Sequence, residues 1–189
     1  MPTAVVPFRS GKSRLALAPQ ARKKVALGML AAVLDACTAV APAVVVTAES
    51  DAAELALRAG AEIVPDPGGG QGAAVEAALG ALDDWPVVVV NADVPRATAA
   101  DVRALLAAAP ALVAAADGTT NALSLPAPGL FRPVYGPGSA ARFERLGLRR
   151  VDLANLAADV DTLGDLERLV RPREARGGPA RNAARAATG

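Results

Sequence analysis

Short valine-rich runs alternate along this chain with longer stretches rich in alanine and leucine. Apolar, β-branched runs bounded by turn residues mark strands, whereas apolar positions recurring at three and four mark helices. The pattern predicts strands over 4–8, 44–47, 62–64, 87–91, 111–115 and 122–125. Helices are predicted over 20–38, 51–59, 71–82, 99–108, 139–146 and 163–170. Alternation of the two kinds is the signature of βα units feeding a mostly parallel sheet. Three helix starts carry capping chemistry: Asp51 and Thr98 can accept from orphan amides, and Thr162 can cap the last helix with Asp165 three residues on.

Composition narrows this picture. Hydrophobic residues make up 52% of the 189 residues and aromatics only 3%, so Ala, Val and Leu must fill the core. Such small, branched side chains suit helices laid on a valine-rich sheet. The length fits one domain, over 1–171. Beyond it the chain turns to Pro, Gly, Ala and Arg with no apolar period, which reads as a basic, disordered tail over 172–189. A net charge of +1 argues against a nucleic-acid or acidic-membrane partner. The single cysteine, Cys37, excludes an internal disulfide and lies in an alanine-rich helical stretch, where a buried inert thiol is expected. With no signal-like opening and no apolar span of roughly 18 residues, a cytoplasmic, membrane-free protein is expected.

The chain contains no histidine. Imidazole acid–base relays and His/Cys metal sites are therefore ruled out, and oxygen ligands remain, which favour magnesium. Magnesium held by a few carboxylates completes its shell with water and phosphate, so a nucleotide is its natural partner. Open α/β sheets bind ligands beyond the carboxyl ends of their strands, and the informative strings lie there. Asn91-Ala92-Asp93-Val94-Pro95 places a carboxylate where a strand meets solvent. Asp159-Val160-Asp161 can present two carboxylates on one side of an extended segment, since residues two apart point the same way. Arg9-Ser10-Gly11-Lys12-Ser13-Arg14 is a basic loop able to hold a triphosphate. It is not a P-loop, because the first glycine of that pattern would fall at Val6. Gly68-Gly69-Gly70-Gln71-Gly72 enters a helix with free amides and room for close approach. Further on, Gly118-Thr119-Thr120-Asn121 offers hydroxyls and an amide, and Tyr135-Gly136-Pro137-Gly138-Ser139 opens a helix that can face an anion. Taken singly, each string also has a plain structural reading as a turn, a cap or a solvated loop.

Together, Lys12-Ser13-Arg14-Leu15, Asn91-Ala92-Asp93-Val94-Pro95, Gly118-Thr119-Thr120-Asn121-Ala122-Leu123, Tyr135-Gly136-Pro137-Gly138-Ser139 and Asp159-Val160-Asp161-Thr162 resemble the guanylyltransferases of coenzyme F420 biosynthesis. That family acts on 2-phospho-L-lactate or phosphoenolpyruvate. The resemblance implies a Rossmann-like nucleotidyltransferase fold, a mostly parallel mixed sheet flanked by helices on both faces. It implies GTP and a phosphorylated three-carbon acid as partners and Mg²⁺ as cofactor; a monomer or homodimer is expected. By the same resemblance Asp93, Asp159 and Asp161 hold the metal, and Thr120, Gly136 and Ser139 hold the acceptor phosphate. Lys12, Ser13, Arg14, Gly69, Gly70, Gln71, Gly72 and Asn91 serve the nucleotide, with Lys12, Arg14 and Asp93 carrying catalysis. Three departures stand out: Pro7-Phe8-Arg9 where Pro-x-Lys is commoner, Gly70-Gln71-Gly72 where Gly-Leu-Asn is typical, and Arg142-Phe143 where a histidine is often found. The alternatives are a molybdenum-cofactor or sugar-phosphate nucleotidyltransferase and a non-catalytic nucleotide-binding module.

Overall fold

The structure is a computed structural model that describes residues 1–11 and 15–170. Lys12, Ser13, Arg14 and the expected basic tail over 172–189 lie outside the described residues. In chain order the elements are β1 (Thr3–Pro7), α1 (Pro19–Thr38), β2 (Ala43–Thr47), α2 (Ser50–Arg58), β3 (Glu62–Pro65), α3 (Gln71–Gly80) and β4 (Val87–Val90). They continue with α4 (Ala99–Ala107), β5 (Ala111–Ala114), β6 (Thr120–Leu125), α5 (Ser139–Arg145), β7 (Arg149–Arg150) and α6 (Leu163–Val170). The strands form one sheet in the order β3-β2-β1-β4-β6-β5-β7. Strand β6 runs antiparallel to β4 and β5, and the other pairings are parallel. The mixed, mostly parallel sheet expected from the resemblance is therefore present.

Strand periodicity decides which helix covers which face. In β1, Ala4 and Val6 face one core and Val5 the other; in β4, Val88 and Val90 oppose Val87 and Val89 in the same way. Helices α1, α2 and α4 bury their apolar sides on the first face, through residues such as Leu30, Val33, Ala52 and Leu105. Helices α3 and α5 cover the second through Val75, Ala78 and Phe143. A sheet buried on both faces needs uninterrupted apolar strands, and the four valines of β4 are all fully buried.

The predicted caps fare differently. Thr98 forms a reciprocal capping box with Asp101 at α4, and Thr162 exchanges bonds of 2.8 and 3.2 Å with Asp165 at α6. The Thr162 hydroxyl also donates to Asp165 Oδ2 at 2.7 Å, and this bond foremost, with those of the Thr162 and Asp161 amides, holds the Asp165 carboxyl down at about 2. Asp51 does not cap α2. That helix starts one residue earlier, its N-cap is Glu49, and Asp51 instead pairs with Lys23 of α1 at 2.5 Å. Strand β7 was not anticipated, because its two exposed arginines carry no apolar signal. Backbone pairing alone defines it, with Arg149 N donating to Pro110 O at 3.0 Å and Val151 N to Leu112 O at 2.9 Å.

Helix α3 approaches the loop before α5 closely at Gly72. A Cβ there would lie 2.8 Å from Pro133 Cβ and 3.0 Å from its backbone. Packing thus explains this glycine without a ligand. Gly72→Ala should cost roughly 1–3 kcal/mol by overpacking, read from urea unfolding; unchanged stability would show that the Pro133 loop yields freely.

Candidate functional site

The chain winds outward from β1 through β2 to β3, then returns to β4 on the other side of β1. Loops leaving β1 and β4 consequently part in opposite directions, opening a crevice at their carboxyl ends. Two cavities of about 210 and 260 Å³ occupy it. Both are lined by Gln71, Asn91 and Asp93, so they meet at those three residues.

Asp93 stands where the cavities join, just beyond β4. The segment carrying the downstream pair is fastened beside it by a bond from Val160 N to Asp93 O of 2.9 Å. Val160 itself is buried in the core, while Asp159 and Asp161 on either side of it line the second cavity with Asp93. Both carboxylates thus border one cavity, on either side of a buried residue. Partial burial pushes the Asp159 carboxyl above its ordinary pKa, and the negative charges of Asp93 and Asp161 push in the same direction. Asn121 opposes this through its Nδ2 group, which donates to Asp159 Oδ1 at 3.4 Å and to Leu156 O at 3.1 Å. Among the described residues no three acidic or thiol groups form a ready-made metal cage. The donor set nevertheless fits a hard divalent ion: oxygen-only side chains gathered at one cavity, with like charges that a cation would neutralise.

At one end of the second cavity the Thr120 and Ser139 hydroxyls lie 2.9 Å apart. Ser139 is not the N-cap of α5; Gly138 occupies that position in the left-handed region, with φ of 70°. The Ser139 and Ala140 amides are bonded to Gly136 O and Gly118 O, so the hydroxyl pair is what this helix start can offer an anion. Gly136, with φ of 104°, borders the same cavity. The turn that carries it is held by Arg142, whose guanidinium donates to Val134 O (3.0 Å), Tyr135 O (3.2 Å) and Pro137 O (2.7 Å).

At the opposite end, Arg9 follows β1 and Asp66 follows β3. They form a two-point ion pair, Nε to Oδ2 at 2.5 Å and Nη2 to Oδ1 at 2.7 Å. Both line the first cavity, beside Pro7, Phe8, Met29 and Ala74. Gln71 donates to Asn91 Oδ1, and Asn91 in turn donates to Thr120 O at 3.0 Å. Asn91 thus links the two ends by positioning Gln71. Gly69 and Gly70 border a neighbouring groove of about 530 Å³ that also touches Gln71 and Gly136.

The structure accordingly gathers Asp93, Asp159, Asp161, Thr120, Gly136, Ser139, Asn91 and Gln71 around one cavity, with Gly69, Gly70 and Gly72 on the adjoining groove. Asp66 was not among the sequence candidates, and Arg9, Asn121 and Arg142 entered only as members of longer strings, without the pairings seen here. Position could have singled out Arg9 and Asp66, since Asp66 directly follows β3 and Arg9 lies two residues beyond β1. Asn121 and Arg142 act through neighbours that the sequence alone does not place beside them.

The fold is that of a nucleotidyltransferase: it is similar to a nucleotidyl transferase from Methanothermobacter thermautotroptrophicus, with a TM-score of 0.66 at 16% identity over 89% of this chain and 95% of the other. Sequence comparison is more specific. The chain belongs to the family of CofC-like guanylyl transferases, whose model matches residues 2–170. It is 38% identical to the phosphoenolpyruvate guanylyltransferase of Streptomyces scabiei over 186 residues, 86% of this chain and 85% of the relative. It is 36% identical to that of Sphaerobacter thermophilus over 190 residues, 88% and 91% of the two chains. No helix among the described residues is long and apolar enough to cross a membrane.

The guanidinium of Arg142 can be tested as a clamp independently of turnover. Charged hydrogen bonds contribute roughly 1.5–3 kcal/mol each, so Arg142→Ala should accelerate amide exchange across residues 134–138 at least about tenfold. Exchange in β1 and β4 should stay at its wild-type rate. Equal acceleration everywhere would mark Arg142 as a general stability residue instead.

Proposed function

We propose that this protein transfers GMP from GTP to the phosphate of phosphoenolpyruvate and releases pyrophosphate, as a cytoplasmic step of coenzyme F420 biosynthesis. The observation that carries this reading is the pair of joined cavities with Asp93 at their junction. A two-substrate transfer needs one compartment per reactant and a charged centre where they meet. Family membership and the names of the relatives favour guanylyl transfer over molybdenum-cofactor, sugar-phosphate or non-catalytic roles. The same names favour phosphoenolpyruvate over 2-phospho-L-lactate.

In this reading the nucleoside lies in the first cavity and the acceptor in the second. Thr120, Ser139 and the Gly136 turn orient the acceptor phosphate, one oxygen of which attacks the α-phosphorus of GTP in line. A new P–O–P linkage forms as the bond between the α-phosphorus and the bridging oxygen breaks, and the electron pair leaves with pyrophosphate. The attacking oxygen is already anionic near neutrality, so no general base is required, in keeping with a chain free of histidine. Catalysis then rests on positioning and charge neutralisation.

Asp93, Asp159 and Asp161 would hold Mg²⁺, which when bound supplies charge neutralisation to the reacting phosphates. Lys12, Ser13 and Arg14 would bind the β- and γ-phosphates. Gly69 and Gly70 give the ribose room for close approach. The enzyme would act as a monomer or homodimer.

Pyrophosphate release should require GTP, phosphoenolpyruvate and Mg²⁺ together. Asp93→Ala should lower it by at least about a hundredfold, the scale of losing one preorganised electrostatic contact, while the thermal transition remains cooperative. Release that is unaffected by Mg²⁺ removal, or near-normal turnover in that variant, would overturn the reading.

A further inference from the structure

The first cavity has an apolar body, with Asp93 where it joins the second cavity and the Arg9–Asp66 pair as its other charged feature. This is the character of a site for a flat bicyclic base that must be both buried and identified. We propose that Arg9, aligned by Asp66, is the residue that selects guanine, donating to the O6 and N7 acceptors of the base. This rests on the guanylyl-transfer reading and adds how the nucleobase is chosen.

Hydrogen-bond accounting assigns the roles. The Asp66 carboxylate side chain is 4% exposed and accepts from Arg9 Nε, from Arg9 Nη2 and from Gly68 N at 2.9 Å. Three of its roughly four acceptor sites are therefore taken, which leaves it unable to receive the two-point N1–H and N2–H edge of guanine. Arg9 is in the opposite condition. Of its five donors, two are engaged by Asp66, and among the described residues the outer Nη1–Nη2 edge has no partner. Its side chain is 46% exposed, so that edge is accessible.

A guanidinium edge matches two acceptors side by side, which guanine presents as O6 and N7. Adenine keeps N7 but places an amino donor at position 6, opposite another donor. Fixing matters as much as charge: a freely rotating cation would bind any nucleotide, whereas a guanidinium locked by two bonds to a buried carboxylate can discriminate. Backbone bonds position both partners, since Phe8 N donates to Val46 O at 2.9 Å and Asp66 N to Thr47 O at 3.2 Å. The pair thus spans the end of β2.

The test uses base analogues on the wild-type chain, so it does not depend on a variant folding. Binding of GTP, ITP, 7-deaza-GTP and ATP is measured by calorimetry with Mg²⁺ present. ITP keeps O6 and N7 and should bind as GTP does, whereas 7-deaza-GTP and ATP should each bind about tenfold to a hundredfold more weakly. Arg9→Ala should collapse the GTP-over-ATP preference by a similar factor, and Asp66→Asn should do so in part by releasing the guanidinium. Weak ITP binding with normal 7-deaza-GTP binding would assign recognition to the N1/N2 edge and overturn the proposal. Equal weakening of GTP and ATP by Arg9→Ala would make Arg9 a phosphate contact and overturn it as well. Either result leaves GTP-dependent pyrophosphate release intact; if the wild-type chain instead binds none of the four, guanylyl transfer itself is refuted.

Discussion

A backbone bond between Val160 N and Asp93 O, 2.9 Å long, holds together what electrostatics would separate. It fastens the segment before α6 to the turn after β4, and it does so at the residue between two aspartates. With Val160 buried, Asp159 and Asp161 are committed to the cavity that Asp93 already lines. Partial burial, and the charges of Asp93 and Asp161 beside it, push the Asp159 carboxyl above its ordinary pKa. A folded protein keeps such a grouping when something cationic compensates it, and the sheet's switch point places it where two cavities meet. The α6 capping box and the packing of Leu166 and Leu169 on the core secure the far side of the segment.

From this centre the crevice reads as a line of chemistry. On one side lie apolar walls and a braced cation, suited to a base; on the other lie paired hydroxyls and a glycine turn clamped by Arg142, suited to a small phosphate. Gln71 and Asn91 connect the halves through hydrogen bonds that continue to Thr120 O. The rigid sheet keeps the donors in place, which is what a reaction driven by positioning and charge neutralisation requires.

Much of this was legible from the chain because the relevant signals are local. Valine runs, helical apolar periods and the Thr98 and Thr162 caps each declare themselves within a few residues. Asp93 could be placed at a strand end by the same logic, whereas Asp159 and Asp161 stand before α6 and end no strand. What escaped depends on contacts distant in sequence. Asp51 looked like a cap but is drawn into a pair with Lys23 on another helix. Strand β7 exists only because the backbone of β5 offers partners. Gly72 reads as a ligand-loop glycine, yet its lack of a side chain is explained by Pro133 across the fold. Arg9 and Asp66 stand 57 residues apart, and nothing in either string foretells their pairing.

The central claim is that Asp93, Asp159 and Asp161 act as one cation-binding unit when nucleotide is present. Its most direct test is Mn²⁺ binding followed by electron paramagnetic resonance, with a non-hydrolysable GTP analogue, in the wild-type chain and an Asp159→Asn/Asp161→Asn variant. The account predicts nucleotide-dependent Mn²⁺ binding that the double substitution abolishes while the fold persists. Mn²⁺ binding that is equally tight in both proteins would contradict it.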